Sequence, residues 1–361
     1  MFLRNLVRND HNSERIVSMN NTEFLFPSIG DLLKNACAHL QRVVTRSMNL
    51  SSFRDLIEVS SEETKRRLLS CSGSAAGAFL NAPVVRGDLL IGPVTFMDAV
   101  RYYLGIKTIN FAKIESQHAC VCGKVHDVSN VNEVLCCSKA AGATWSLRHD
   151  LPKLKLAQLA RSAGHSVTVE KVVGRDGRRF RTDVSINDFK YKRSKNDTYP
   201  VTCKAEIDLS ITCPTSKSNI RRQCVRGIAA AKVAERKIKG GGANSLQAPD
   251  LFIPAIIETY GLFHSGLKTL LHNIAENQID QSARDANFSN AQRDKLKGVI
   301  VKNYYQLISV AAIKGVVFNL DAAAKRILRH NGKSLTGGGL TRGRAEIILG
   351  SAFRAELAGF D

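Results

Sequence analysis

The chain has 361 residues, a hydrophobic fraction of 44% and a formal net charge of +20, with a sequence pI near 9.8. This apolar content excludes a wholly disordered chain, and the length allows two or three domains with a sizeable core. Residues 171–240 alone hold 18 Lys and Arg against 7 Asp and Glu. The basic excess predicts a polyanionic partner, with nucleic acid, DNA or RNA, favoured over an anionic membrane.

The cysteines and the apolar runs predict the compartment. Nine cysteines are unevenly spaced, and the stretch MFLRNLVRND becomes charged too early for a signal peptide. The best candidate for a membrane span, LISVAAIKGVVFNL, is too short and contains Lys314. We therefore expect an intracellular protein of the nucleus or cytoplasm, with reduced thiols and no membrane partner.

The first 110 residues are predicted to be mainly helical. A helix is expected to begin at Ser28 or Asp31, because apolar residues follow at helical spacing, and another is expected over 94–105. Residues 111–147 form a cysteine-rich segment that contains HACVCGKVHDVSNVNEVLCC. This segment separates the helical region from the rest of the chain.

Residues 148–285 change from helical to strand periodicity. A helix with Pro152 in its first turn precedes three alternating segments, SVTVEKVV, RRFRTDVSI and VTCKAEIDLSITC. One long helix is expected over 219–239, and a fourth strand in APDLFIPAIIETYG. Residues 286–361 are predicted to form helices and a glycine-rich tail. The order helix, three strands, helix, strand predicts an α/β core with flanking helical segments.

Two of the predicted strands carry an aspartate on their polar face. Asp183 in RFRTDVSI and Asp208 in CKAEIDLSIT alternate with apolar neighbours. If these strands form a hairpin with its turn centred on 195–196, Asp183 lies directly opposite Asp208. Glu206 then lies on the same face, one diagonal away, whereas a shift of one residue would separate the carboxylates.

The paired aspartates indicate a divalent cation. Like charges directly opposite each other destabilise a sheet, so such a pair suggests that a cation lies between them. Mg²⁺ or Mn²⁺ held by two carboxylates can activate water and stabilise charge on a phosphodiester, and a nearby lysine would add to that stabilisation. The competing interpretation is a wet strand face on which both aspartates are simply hydrated.

Several landmarks occur in the order found in one protein family. They are SGSAAGAFLNAPVV, FMDAVRYYLGI, CVCG…LCC, LRHD, RTDVSI, EIDLSIT, AAAKVAERKIK and FIPAIIETYG. Over roughly residues 65–330 the chain resembles the C-terminal region of non-LTR retroelement proteins. That region carries a zinc knuckle and a restriction-like endonuclease of the PD-(D/E)xK type, so the resemblance implies a restriction-endonuclease-like core.

The resemblance implies a metal-dependent domain that nicks DNA. The metal ligands would be Asp183 and Asp208. The catalytic lysine would be Lys237 or Lys232, of which Lys237 matches the family pattern better. Glu235 would be an accessory carboxylate, in addition to Glu206, which the register above places nearby. A solvated basic helix face that contacts phosphate is the alternative for both lysines. The chain has no Tyr-x-Asp-Asp motif, so no reverse transcription is expected.

The sequence departs from the family pattern at two places. Thr182 stands where the family has proline, and Glu133 stands where the knuckle histidine is expected. The candidate zinc ligands that remain are Cys120, Cys122, Cys137 and either His118 or His126. The alternative is a set of reduced, half-buried thiols, with Trp145 packed against them in either case.

Basic side chains around the predicted core are candidates for contacts with nucleic acid. They are Arg148, His149, Arg178, Arg179, Arg181, Lys192, Arg193, Arg221 and Arg222. The predicted function is a retroelement-derived endonuclease domain. The alternatives are a remnant that binds DNA or RNA without cleaving it, and a helical interaction protein. Glu258 is a lesser candidate for the metal site, and a strand end is its competing interpretation.

Overall fold

A four-stranded mixed sheet with helices on both faces forms the centre of the fold. This computed structural model describes residues 17–19, 22–24, 40–83, 87–124, 127–175, 178–191, 200–221, 223–242, 250–282 and 288–332. One large hydrophobic core joins the sheet to the cysteine-rich segment and to the C-terminal helices. The described part of the chain is therefore a mixed α/β structure.

The strands are β1 (Val17–Met19), β2 (Thr22–Phe24), β3 (Val167–Arg175), β4 (Arg178–Tyr191), β5 (Val201–Thr212) and β6 (Leu251–Glu258). The α-helices are α1 (Leu40–Val59), α2 (Glu62–Cys71), α3 (Pro93–Tyr103), α4 (Val131–Leu135), α5 (Ser138–Ala141), α6 (Leu147–Ser162), α7 (Lys217–Ile220), α8 (Ile228–Lys237), α9 (Ser265–Ser282) and α10 (Asn290–His330). From α6 to β6 the predicted order of helix, three strands, helix and strand is confirmed, with the short α7 added before α8.

The region expected to be mainly helical contains α1, α2 and α3, together with the small antiparallel hairpin β1–β2. The proposed helix start at Ser28 or Asp31 lies outside the described residues. One local prediction is wrong. The helix expected over 219–239 is interrupted, because α7 ends at Ile220 and α8 begins at Ile228. Gly227 precedes α8 with a left-handed φ of 76°, which a continuous α-helix does not accommodate.

The register of the two aspartate strands is as predicted. The sheet order is β3-β4-β5-β6, with antiparallel pairs up to β5 and a parallel β5–β6 pair. Within the β4–β5 pair, Val184 is opposite Ile207 and Ser185 is opposite Glu206, which places Asp183 and Asp208 next in line. The register shifts only beyond Ile186, on the side away from the aspartates.

The two faces of the sheet pack against different helices. In β5, Ala205, Ile207 and Leu209 are buried in the large core. In β6, Ile256 points to the other face and packs with Ala230 and its neighbours on α8 in a small second cluster. Because side chains alternate along a strand, Asp208 lies on the same face as α8.

Helix α10 packs mainly against α6, which in turn packs against β3, β4 and β5 of the sheet. Its 41 residues begin at a capping box in which the Ser289 hydroxyl accepts from the Gln292 N–H, and Gln292 reciprocates. Within the described residues it is the one helix long and apolar enough to cross a membrane, and 78% of its apolar window is buried inside the protein. That burial is typical of the central helix of a globular core.

The backbone at Gly261 lies so close to another backbone segment that a side chain there should destabilise the fold. The φ of Gly261 is 94°, and a Cβ added there would lie 2.5 Å from the Ala76 carbonyl oxygen. We expect Gly261→Ala to lower the free energy of unfolding by at least about 2 kcal/mol. Gly298→Ala, at an exposed site inside α10 where nothing lies within 4 Å, should instead raise it by up to about 1 kcal/mol. Urea unfolding of both variants checks this, and a harmless Gly261→Ala would contradict it.

Candidate active site

Asp183 and Asp208 come together on the face of the sheet that α8 covers. Their side chains are 17% and 23% exposed, so both carboxyl groups are shielded yet reachable from solvent. The Leu209 N–H donates to Asp183 Oδ2 at 2.6 Å, which ties the β4 carboxylate to the β5 backbone. The predicted convergence of the two aspartates is confirmed.

A lysine from α8 completes this cluster. Lys237 Nζ makes an ion pair with Asp208 Oδ1 and lies 3.5 Å from the Leu209 carbonyl oxygen. Lys237 is the last residue of α8, and its side chain is 17% exposed. Two acidic side chains and one amine are therefore held together by three separate elements.

A histidine from the first turn of α6 also enters the cluster. His149 Nε2 lies 3.2 Å from Asp183 Oδ2, and its Nδ1 lies 3.2 Å from Asp150 Oδ1. Asp150 in turn pairs with the buried Lys153 at 2.9 Å, and Lys153 pairs with Glu170 at 2.6 Å. We call Asp183, Asp208, Lys237 and His149 the acidic cluster; the chain of charges behind it fixes the orientation of His149.

Burial and charge act differently on the two carboxyl groups. Burial raises the pKa of Asp208 above its usual value, the neighbouring Asp183 raises it further, and Lys237 offsets this only in part. Burial also acts to raise the pKa of Asp183, but the His149 contact and the Leu209 N–H hold it below the usual value. The proximity of the two groups therefore makes simultaneous ionisation costly, and a divalent cation would relieve that cost.

Three other predicted catalytic residues lie outside the acidic cluster. Glu206 is fully buried, where it accepts from Thr182 Oγ1 at 2.9 Å and Ser185 Oγ at 3.0 Å and pairs with Lys204 at 2.6 Å. Lys232 and Glu235 pair with each other at 3.2 Å on the exposed side of α8. Of the two candidate lysines, the structure brings only Lys237 to Asp208, because Lys232 lies on a different side of the helix.

The predicted nucleic-acid contacts have varied surroundings. Arg148 is half-buried, with its guanidinium 4.4 Å above the Trp145 ring, and donates to the Leu135 carbonyl oxygen at 2.9 Å. Arg181 pairs with Glu170, and Arg221 is exposed. The predicted contacts Lys192, Arg193 and Arg222, and the side chains of Arg178 and Arg179, lie outside the described part. His149 differs most from its prediction: it was expected to contact nucleic acid, and its side chain lies in the acidic cluster.

The cysteine-rich segment brings three of its predicted ligands together. The Sγ atoms of Cys120, Cys122 and Cys137 lie within 4.8 Å of one another, and those of Cys120 and Cys137 are 3.9 Å apart. In a tetrahedral site with Zn–S bonds of about 2.3 Å, neighbouring sulfurs are about 3.8 Å apart. The three thiols therefore form a group that could hold a metal ion. His118 is not part of it, and His126 lies outside the described residues.

The pKa values of two of these thiols are shifted in opposite directions. Burial raises the pKa of Cys120 to about 12. At the more exposed Cys122, the Lys124 N–H and the neighbouring thiols outweigh burial and lower the pKa below the usual value. Cys122 therefore ionises more readily than Cys120, and it is the thiolate form of cysteine that binds a metal.

Glu258, the lesser candidate for the metal site, has a different position. It is 2% exposed, and its carboxylate accepts from the Ala230 N–H at 3.2 Å in the first turn of α8. Burial raises its pKa to about 7, although this N–H and the charge of Arg66 act in the opposite direction. Glu258 therefore caps the N-terminal end of α8, and Lys237 is the last residue at the C-terminal end of the same helix.

The raised pKa of Glu258 predicts a pH-dependent stability. Above a pH of about 4.5 the unfolded chain loses this proton and the folded chain keeps it, so stability falls as the pH rises to about 7, by about 3 kcal/mol. Glu258→Gln keeps an acceptor for Ala230 and should remove this slope. Denaturant unfolding of both proteins between pH 4.5 and 7.5 checks it; equal slopes would contradict the assignment. Arg66 and Cys71, the charged and titratable groups that face Glu258 from α2, are unchanged in both.

Two residues that support His149 were missed in the sequence, although their spacing could have indicated them. Asp150 and Lys153 stand three residues apart in LRHDLPK, which is the spacing of an ion pair on one helix face. That spacing could have placed a charge pair behind His149. The position of Glu170 carries no such signal, because its φ of 58° is an irregularity of β3.

Comparison with known proteins assigns no family to this chain. A scan against protein-family models finds no match, and neither does a search of the curated proteins. The chemistry of the acidic cluster and of the thiol group therefore rests on the geometry of the chain itself.

Proposed function

We propose that this chain is a metal-dependent endonuclease domain that nicks DNA, with a restriction-endonuclease-like core and an origin in a non-LTR retroelement. The observation that carries the proposal is the convergence of Asp183 from β4, Asp208 from β5 and Lys237 from α8. The order of the thiol group, the aspartate strands and the lysine helix along the chain supports the retroelement origin. A nucleus or cytoplasm location follows from a DNA substrate.

The donor set of the acidic cluster fits Mg²⁺ or Mn²⁺. Two carboxylates on neighbouring strands offer the oxygen ligands that these ions prefer, and water and phosphate oxygens would supply the rest. When bound, such an ion lowers the pKa of its water and stabilises charge on a phosphodiester. Asp183 and Asp208 would hold it.

The other members of the cluster have roles that follow from their contacts. Lys237 can stabilise negative charge that develops on the phosphate, because its amine lies beside Asp208 in a shielded position. His149 orients the Asp183 carboxylate through Nε2, and Asp150 on Nδ1 fixes the ring. The basic excess of residues 171–240 would bind the DNA backbone.

The alternative is a chain that binds DNA or RNA and no longer cleaves it. The direct ion pair of Lys237 with Asp208 favours this alternative, since the amine occupies an oxygen that a metal would use. The experiment incubates the protein with supercoiled plasmid and Mg²⁺ or Mn²⁺, beside the double variant Asp183→Asn/Asp208→Asn. We expect open circles with the wild type only. Salt-sensitive binding without nicking by either protein would establish the alternative.

We also propose that the thiol group binds Zn²⁺ as a structural ion. Cys120, Cys122 and Cys137 would supply three ligands, and His126 or water the fourth. Because the group joins two parts of the cysteine-rich segment, residues 120–122 and residue 137, the ion would stabilise this segment against the core.

The zinc proposal predicts a difference between neighbouring cysteines. The protein should contain about one zinc per chain, and Cys122→Ser should lose most of it, because that ligand is removed. Cys136→Ser is the matched control, since Cys136 interacts with Cys213 and lies outside the thiol group. Elemental analysis of purified proteins measures the zinc content. A zinc-free wild type, or equal loss in both variants, would contradict the proposal.

A further inference from the structure

A basic groove lies beside the acidic cluster, on the other side of α8. Its volume is about 1380 Å³, above the range of about 300–1,000 Å³ for small-molecule pockets. The cysteine-rich segment forms one wall and α8 with its π-helical extension the other, and residues 211–213 at the end of β5 lie between them. Asp183, Asp208, His149 and Lys237 do not line it.

The charges that line this groove are mostly positive. Among the residues that the structure describes, seven Lys and Arg line it against two Glu. Glu235 is paired with Lys232 and Lys239, and Glu133 with Lys217 at 3.0 Å. Three further cations, Lys124, Lys139 and Arg236, are exposed and make no ion pair with any residue that the structure describes. The groove therefore carries a net positive charge whose natural counterpart is a polyanion.

One aromatic ring also lines the groove. Trp145 is half-buried, and Arg148 lies over its ring at 4.4 Å, which holds the indole in place. A fixed aromatic ring among exposed cations is the combination with which proteins bind single-stranded nucleic acid, because bases stack on the ring while cations contact phosphates. A duplex keeps its base faces covered and offers only its backbone.

The position of the groove relates it to the acidic cluster. Along β5, Ile211 in the groove is three residues beyond Asp208, which is about 10 Å at the rise of a strand. Arg236 lines the groove, whereas the adjacent Lys237 contacts Asp208. A strand bound in the groove would therefore pass within a few nucleotides of the acidic cluster.

We propose that this groove binds a single strand of DNA or RNA, with its phosphates on Lys139 and Arg236 and a base on Trp145. The groove lies outside the acidic cluster, so the proposal goes beyond nicking and stands whether or not the cluster cleaves. Neither Lys139, Arg236 nor Trp145 belongs to the residues argued above to act on a phosphodiester.

The test measures binding of a labelled 20-nucleotide single strand, its duplex, and an abasic strand of equal charge by fluorescence anisotropy. The protein carries Asp208→Asn, and the buffer contains neither added Mg²⁺ nor chelator, so that cleavage is prevented and any metal at the thiol group stays bound. Failure of the nicking experiment above leaves this measurement unaffected.

We expect the base-bearing strand to bind more tightly than the duplex. Lys139→Glu/Arg236→Glu should weaken binding at least tenfold at low salt. The slope of log binding constant against log salt concentration should become shallower by about 1.4, because two phosphate contacts are lost. The charge-matched control is Lys295→Glu/Lys302→Glu on the exposed side of α10, which should change affinity less than threefold. Trp145→Ala should weaken the base-bearing strand about tenfold and the abasic strand hardly at all, and Trp145→Phe should retain most of the affinity.

Any one of three results would overturn the proposal. The first is equal weakening by the groove pair and the α10 pair, which would show that only overall charge matters. The second is a duplex that binds as tightly as the single strand. The third is a Trp145→Ala loss that is the same on the base-bearing and the abasic strand. Circular dichroism of each variant confirms that the fold is retained.

Discussion

Asp208→Asn is expected to lower metal-dependent nicking at least about 10³-fold without lowering the melting temperature. In the proposed function the Asp208 carboxylate would help to hold the cation, and the transition-state stabilisation that a bound metal supplies is several kcal/mol, which corresponds to such a factor. Stability should hold or rise because burial and Asp183 already raise the pKa of Asp208, so its ionised form is disfavoured in the folded chain.

The measurement combines plasmid nicking rates with thermal unfolding for the wild type, Asp208→Asn and a distant control. Asp280→Asn is suitable, because Asp280 is exposed on α9 and pairs with Arg293 away from the acidic cluster. We expect the control to nick at the wild-type rate. An Asp208→Asn protein that nicks within tenfold of wild type would exclude Asp208 as a metal ligand, and one that melts much earlier would assign it a structural role.

Lys237→Met is expected to reduce the nicking rate by about 10²–10³-fold, the usual effect of removing one group that stabilises transition-state charge. The matched control is Lys232→Met on the same helix. Lys232 pairs with Glu235 on the exposed side, so its loss should change the rate less than about threefold at saturating DNA.

The comparison of these two lysines separates catalysis from binding. Lys232 lines the basic groove, so Lys232→Met can weaken DNA binding without affecting the rate at saturation. Lys237→Arg should recover part of the lost rate, because it restores a cation beside Asp208. Equal rate losses for both Met variants would show that α8 contributes only general positive charge.

The Glu258 prediction connects to this helix from its other end. Glu258 caps the first turn of α8 through Ala230, whereas Lys237 closes the last turn. A change at one end can therefore move the other, so nicking by Glu258→Gln should be measured alongside its stability. The contact with the Ala230 N–H also gives the buried Glu258 side chain a hydrogen-bond partner at the end of β6.

The pairing of the aspartate strands could be predicted from the sequence because it depends on a local pattern. Side chains alternate with a period of two, and the apolar set of each strand must face the core, so a register shifted by one residue would expose one of the two sets. The connection between the strands then sets Asp183 opposite Asp208. The same pattern could not show that Glu206 is buried, because its neighbours Thr182, Ser185 and Lys204 satisfy it only in the folded sheet.

The choice between the two lysines could not be made from the sequence. A continuous helix over 219–239 leaves either residue able to reach the sheet, whereas the observed break at Gly227 sets where α8 begins and how it is rotated. That rotation depends on the packing of Ala230 and Ala234 against Ile256. The entry of His149 into the acidic cluster likewise depends on how α6 packs across the sheet edge.

By itself the sequence determined the basic charge, the α/β order and the pairing of the aspartates, because these follow from composition and from periods of two and 3.6 residues. The three thiols that meet were predicted from the resemblance to the retroelement family. Only the tertiary structure decided that Lys237 rather than Lys232 reaches Asp208, that Glu258 caps α8 and that a basic groove adjoins the acidic cluster. The physical reason is that these features depend on how whole elements are rotated and packed against each other. Such packing is set by contacts between residues far apart in the chain.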